Sequence, residues 1–393
     1  MTETARKETL EHIRQLVAFN TVSDQPNREL VDYLATVLDD LGFEIRLEPS
    51  ANTEKANLIA RLGPDVPDGL MLAGHTDVVP VAGQNWSADP FIARIQDGKV
   101  YGRGTCDMKG FIAVVLSVLP CITLKELQRP LHLAFTFDEE VGCFGAHTIA
   151  PILAGIHNPP TRCIVGEPTS MALVAGHKGK LSMDCAVQGT EGHSAFSNTG
   201  VNAVEIAAEL VTRLRHIQAR IRKSGPFDTR FDPPYTTVHT GLLQGGTARN
   251  IVPKNCRFEF EVRNLPGHDP QGILAELGEL IRQELLPEIQ SISTGANIDM
   301  HTQSDIPGLM ADIDTPWMQR LMRTTRQNAP KYVSFATEGG LYQSGGINTI
   351  ICGPGNIEQA HKADEYIEIA QLVACEKFLS RIIGDTLYPH TCP

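Results

Sequence analysis

The chain has 393 residues and a formal net charge of −12, which exceeds the size of one ordinary core and argues against a nucleic-acid or anionic-membrane surface as partner. Hydrophobic residues at 42% and charged residues at 20% are typical of a globular enzyme, and no stretch reaches the roughly 20 apolar residues of a membrane span. Nine cysteines without a CxxC pair read as reduced thiols, and the N-terminal MTETARKETLEHIRQLVAF lacks the apolar core of a signal peptide, so a cytoplasmic location is expected.

Residues 8–19 and 28–42 carry the apolar spacing of amphipathic helices. Strands are predicted at FEIRL (43–47), NLIARL (57–62), GLMLAGHTD (69–77), LHLAFTFD (131–138) and RCIVGE (162–167), with KGFIAVVLSVLPCI (109–122) helical between them. Apolar strands alternating with helices indicate a mostly parallel α/β sheet, whose ligands collect at the carboxyl ends of the strands. From about Lys180 the texture changes to strand (LSMDCAVQG), helix (VNAVEIAAELVTRLRHIQARI), two strands (YTTVHTGLL, CRFEFEVRNL), helix (QGILAELGELIRQELL) and strand (NIDMHTQ). That βαββαβ order is the one of a ferredoxin-like α+β module. After about Pro307 the α/β pattern returns with TPWMQRLMRTTRQ, TIICGPG and EIAQLVACEKFLSRII. The expected architecture is therefore a mostly parallel-sheet, metallopeptidase-like α/β domain of residues 1–179 and 306–393, interrupted by an inserted ferredoxin-like module of residues 180–305.

Acidic and imidazole side chains stand where the apolar strands stop. His75 and Asp77 follow GLMLAG, Asp107 lies in GRGTCDMKG, Glu139 and Glu140 follow LHLAFTFD, Glu167 follows RCIVG, and His361 follows TIICGPG. Singly each has a plainer reading, such as a helix N-cap for Asp107; jointly they point to one sheet edge. Oxygen and imidazole ligands without thiolate suit zinc, cobalt or manganese. Two divalent ions sharing Asp107, one with His75 and Glu167 and the other with Glu140 and His361, would each keep room for water and substrate. Such a pair outweighs three carboxylates by one charge, which a bridging hydroxide would cancel. In an extended strand, residues two apart share a face, so Asp77 is expected to hold the second ring nitrogen of His75. Adjacent residues point opposite ways, so Glu140 is assigned to the metal and Glu139 to the general acid–base.

GHTDVVP, GRGTCDMKG, DEEVGCFGA, GEPTS, GHKGK, GTEGHSA, GGTARNIVP and EVRNLPG follow one another across most of the chain. Together they resemble the dimetal (M20-type) amidohydrolases and peptidases. The resemblance implies a hydrolase of linear amide C–N bonds holding two divalent metal ions, Zn2+ or alternatively Co2+. It also implies an inserted domain that serves as a lid and forms a homodimer. Carried over residue by residue, it implies metal ligation by His75, Asp107, Glu140, Glu167 and His361, with Asp77 behind the first histidine and Glu139 as the catalytic acid–base. His193 matches a histidine that reaches the partner subunit's site and stabilises the oxyanion, the Asp107–Met108 peptide is expected to be cis, and Asn250 and Arg263 match positions that contact substrate.

LAGHTDVVP, GEPTS followed by GHKG, Thr337-Glu338-Gly339-Gly340 and GPGNIEQAHKADEY resemble most the members that deacetylate N-acetyl-L-ornithine in arginine biosynthesis, releasing L-ornithine and acetate. On that reading Glu338 and Gly339 line the substrate site, with Glu338 attracting the δ-ammonium, and Arg263 grips the α-carboxylate through its planar fork. The rivals are a succinyl-diaminopimelate desuccinylase, another N-acyl-amino-acid hydrolase or dipeptidase, and a catalytically silent binding relative. All five ligand positions and Glu139 are present, which disfavours the last. The expected partners are a small N-acyl amino acid and a second copy of the chain, with no nucleic acid and no membrane. His132, His147, His157, His177 and His301 match no functional position and are read as structural.

Overall fold

The computed structural model describes residues 4–122 and 126–388. It divides into two units: a larger one that runs through Gly176, takes in Leu309–Tyr332 and resumes at Thr337, and a smaller one made of His177–Gly308 and Val333–Ala336. Among the described residues, no helix is long and apolar enough to cross a membrane.

The apolar runs of the larger unit become strands of a nine-stranded sheet among the described residues. Leu131–Thr136, Gly69–His75, Pro160–Pro168 and Asn348–Gly353 lie side by side and parallel at its centre. Gly69–His75 and Leu131–Thr136 are buried at every position, which is why they read as continuous apolar runs rather than as alternating ones. All ten residues of the helix Lys109–Val118 are buried for the same reason, between the sheet and the helices Lys7–Ala18 and Ile369–Leu387. The helix Arg28–Asp40 is two-faced instead. It buries Leu30, Val31, Leu34 and Leu38, each contributing roughly 1.5–3 kcal/mol of transfer free energy.

Register fixes where the strands deliver their last side chains. His75 pairs with Thr136, and Ala73 pairs with Val165, so His75 and Glu167 reach the same level at the carboxyl edge of the sheet. The helix Lys109–Val118 presses closely against this edge. A Cβ at Gly166 would lie 2.1 Å from the Phe111 ring, so only glycine fits immediately before Glu167.

Several boundaries differ from the sequence reading by a few residues, and three of them have a plain local reason or consequence. The strand expected over 69–77 ends at His75, leaving Asp77 beyond it. The helix expected over 28–42 stops at Asp40, because Gly42 takes a left-handed φ of 83°, with Gly42 N–H on the Asp39 carbonyl and Phe43 N–H on that of Leu38. The helix expected over 109–122 ends at Val118 and passes into a short 3-10 turn, Leu119–Cys121, at Pro120.

The smaller unit contains a four-stranded antiparallel sheet in the order Thr237–Gly245, Asn255–Arg263, Lys180–Gln188, Asn297–Ile306. The strands that come first and last in the chain, Lys180–Gln188 and Asn297–Ile306, are neighbours, with Lys180 opposite Ile306. The helix Ala203–Ser224 turns Ala203, Ala207, Leu210, Leu214, Ile217 and Ile221 inward at helical spacing, against Cys256, Phe258, Phe260 and Val262 of the alternating strand. Asn202 caps that helix, its side-chain oxygen accepting from Val204 and Glu205 N–H. The second helix is not continuous. A π turn, Ile281–Leu285, separates Gln271–Leu280 from Leu286–Ile292, next to Pro287, which has no N–H to give and whose ring crowds the preceding turn.

Candidate metal centre

Six side chains that the sequence scatters from residue 75 to residue 361 meet at the carboxyl edge of the larger unit's sheet. His75 Nε2 lies 3.1 Å from Asp107 Oδ1 and 3.7 Å from Glu167 Oε1. His361 Nε2 lies 3.3 Å from Asp107 Oδ2 and 3.1 Å from Glu140 Oε2. The two oxygens of Asp107 therefore face one imidazole each. Donor atoms of His75, Asp107 and Glu140 lie within 4.8 Å of one another, as do those of His75, Glu139 and Glu167.

The scaffold that aims these groups is polar and buried. His75 Nδ1 is 2.9 Å from the main-chain oxygen of Asp77 and 3.5 Å from its carboxylate, so the carbonyl is its nearer partner. The strand has already ended at His75, and this frees the Asp77 carboxylate for other donors. Its Oδ1 accepts Glu139 N–H at 3.0 Å, and its Oδ2 accepts Glu140 N–H at 3.3 Å and the Ser23 hydroxyl at 2.7 Å. Asp77 thus anchors the turn that carries both glutamates. Asp138, in a left-handed conformation with φ 56°, pairs with Lys55 at 2.6 Å at the start of the same turn. The Asp107–Met108 peptide is cis, as the resemblance implies. His361 is held at φ 61°, a region that residues other than glycine occupy only when their surroundings impose it.

Crowding of like charge sets the electrostatics. Burial pushes the Glu167 carboxyl well above the usual range and Asp107 pushes it further. Burial raises Glu140 to about 7 and Glu139 to about 8, with neighbouring carboxylates adding to both. Asp107 goes the other way: burial opposes ionisation, but hydrogen bonds to His361 and His75 prevail and hold it below the ordinary value. Hydrogen bonds to Asp107 first and Glu140 second raise His361 to about 10. Glu167 Oε1 is buried and has no hydrogen-bond donor among the described residues. Four carboxylates this close, one with an orphaned oxygen, form a cluster that can hold cations, and an oxygen and imidazole donor set suits divalent zinc, cobalt or manganese.

His193, Asn250 and Arg263 belong to the smaller unit. His193 is exposed and its Nδ1 accepts from Ala195 N–H; Asn250 is exposed; Arg263 pairs with Glu261 at 3.0 Å. Gly339 is buried at the start of the helix Gly339–Ser344. Glu338 is fully buried. Its carboxylate accepts from Thr136 and from Tyr342, the latter at 3.3 Å. The sequence reading gave no role to Ser23, Lys55, Arg103 or Glu365. Arg103 lies in the glycine-rich GRGT, and Glu365 lies beside Asp364 in ADEY.

This fold and this donor set are those of a hydrolase of the metallopeptidase type, with a mixed α/β architecture. Residues 71–385 match the Peptidase family M20/M25/M40. The chain belongs to that family and hydrolyses amide bonds. It is 34% identical to the acetylornithine deacetylase of Myxococcus xanthus over 95% of this chain and 96% of that one. It is 36% identical to the acetylornithine deacetylase of Edwardsiella ictaluri over 94% and 95%. Among solved structures, the M20 family metallo-carboxypeptidase Sso-CP2 of Sulfolobus solfataricus has the same fold, with a TM-score of 0.73 at 17% identity over 96% of this chain and 99% of that one. A dinuclear metal binding peptidase of the M20 family from Bacillus subtilis matches with a TM-score of 0.63 at 14% identity over 96% and 98%.

Proposed function

We propose that this chain is a two-metal deacetylase of N-acetyl-L-ornithine, releasing L-ornithine and acetate in cytoplasmic arginine biosynthesis. The observation that carries the metal chemistry is Asp107, whose two oxygens each face a histidine, 3.1 Å from His75 and 3.3 Å from His361. The substrate rests on the two deacetylases, related over nearly the whole chain.

His75, Asp107, Glu140, Glu167 and His361 would hold two zinc or cobalt ions, with Asp107 between them. When bound, the ions polarise the acyl carbonyl and lower the pKa of a water molecule. Glu139 acts as the base. Its carboxylate takes a proton from the attacking water while the water oxygen bonds to the acyl carbon. It then gives that proton to the nitrogen as the C–N bond breaks, so that acetate and the free amine leave. Asp77 holds the Glu139 main chain in place through both transfers. Arg263 and Asn250 of the smaller unit are assigned to the substrate, with the Arg263 fork on the α-carboxylate. On the same reading this unit is the lid and dimerisation surface, and His193 of one protomer stabilises the oxyanion in its partner's site.

The test uses metal-stripped and zinc- or cobalt-reconstituted protein with N-acetyl-L-ornithine, succinyl-diaminopimelate and dipeptides, and measures released amine. Acetylornithine should be the best substrate, and only of the reconstituted protein; preferential cleavage of either rival would overturn the assignment. Glu139→Gln should lower turnover by at least 100-fold, the usual order for an acid–base group, while keeping its metals. Normal turnover in that variant would remove Glu139 from the mechanism.

A further inference from the structure

Glu365 is a buried carboxylate that takes no part in the chemistry above, yet it is the most heavily used acceptor around the centre. It is 1% exposed. Its Oε1 accepts Cys106 N–H at 2.9 Å and Asp107 N–H at 3.1 Å. Its Oε2 accepts Gly104 N–H at 3.1 Å and Arg103 Nη1 at 2.7 Å. Four donors fill the roughly four lone-pair positions a carboxylate offers. Residues 104–107 belong to no strand or helix that could satisfy those main-chain groups, so without Glu365 three buried N–H groups would be orphaned.

The same network reaches the loop that carries His361. Arg103, itself 1% exposed, also donates to the Lys362 carbonyl at 3.3 Å and to the Pro80 carbonyl at 3.4 Å. It also donates to the Gln84 side-chain oxygen, and its guanidinium lies over the Trp86 ring, 4.9 Å from the centroid. Gln84 in turn donates to the His361 carbonyl at 3.0 Å. Two segments more than 250 residues apart in the chain are therefore joined, the Glu365 carboxylate to the amides of Gly104, Cys106 and Asp107 and the Arg103 guanidinium to the Lys362 carbonyl, immediately beside Asp107 on one side and His361 on the other.

We infer that Glu365, with Arg103, is a positioning residue: it clamps the Asp107 segment to the His361 loop, and the affinity for divalent metal depends on that clamp. The inference rests on the proposed reading of Asp107 and His361 as ligands. The two carboxylate oxygens of Asp107 serve two different imidazoles, so a small rotation of its backbone spoils both contacts at once. Loss of a partner that orients a ligand typically weakens metal binding about ten- to a hundredfold.

Zinc affinity of the full chain, measured by competition with a chelating indicator, tests this. Glu365→Gln puts an amide N–H₂ against two of the four donors and removes the charge facing Arg103. Its zinc isotherm should weaken by about ten- to a hundredfold, and raising free zinc should restore kcat with KM unchanged, which a merely structural defect would not allow. Glu365→Asp keeps the charge but withdraws it by one methylene, and it serves if the glutamine variant does not fold; it should weaken zinc in the same direction. An isotherm superimposable on the wild type in the folded variant overturns the clamp, as does lost activity that no zinc concentration restores. A wild-type chain that fails to bind two zinc ions instead overturns the reading of the centre itself.

Discussion

His132 makes the larger unit acid-sensitive. It sits mid-strand in Leu131–Thr136, fully buried, opposite Arg61 on one neighbouring strand and Met71 on the other. Neither ring nitrogen has a hydrogen-bond partner among the described residues. Burial first, and Arg61 second, lower its pKa from 6.5 to about 4. Between those values the unfolded chain binds a proton that the folded chain does not, so stability falls as the pH drops through that window and is whole above it. The two pKa values put the loss at about 2 kcal/mol by pH 5 and near zero at about pH 7.5. His132→Leu, of similar volume, removes the titrating group and two unsatisfied nitrogens. Urea unfolding with chelator present throughout would follow the larger unit at both pH values. The variant should gain about 2 kcal/mol on the wild type between pH 7.5 and pH 5. A difference that stays constant across that range would refute the argument.

Asp77→Asn presents an amide N–H₂ where Glu139 or Glu140 N–H now donates, and it loses the charge that strengthens both bonds. It should destabilise the larger unit by about 2–3 kcal/mol and lower kcat more than it raises KM, read from denaturation and steady-state kinetics. Asn202→Ala removes the cap of Ala203–Ser224. It should cost about 1 kcal/mol, confined to the smaller unit, with faster amide exchange in the first turn of that helix and no change in zinc affinity.

The parallel sheet and the place of the donors at its edge were legible because buried parallel strands write themselves as unbroken apolar runs, and a polar residue at the end of such a run has few other reasons to be there. The βαββαβ order was legible because the strands of the smaller unit alternate, as Cys256, Phe258, Phe260 and Val262 show. What stayed hidden were features decided by tertiary neighbours. The preference of Asp77 for the Glu139 and Glu140 amides requires knowing that the strand stops at His75. Glu338 looks like a loop acid among polar neighbours until Thr136 and Tyr342 close around it. The joint work of Arg103 and Glu365 spans 262 positions, and nothing in local pattern connects them.

The pairing of Lys180 with Ile306 bears on how such a protein could have been built. A stretch that folds with its two ends touching presents the surrounding backbone with a gap only a few residues wide, whatever its own length. Since the entropy of closing a floppy excursion grows with its length, a self-closing one spares its host that penalty. Lengthening, trimming or replacing the excursion therefore leaves the spacing of the flanking strands undisturbed.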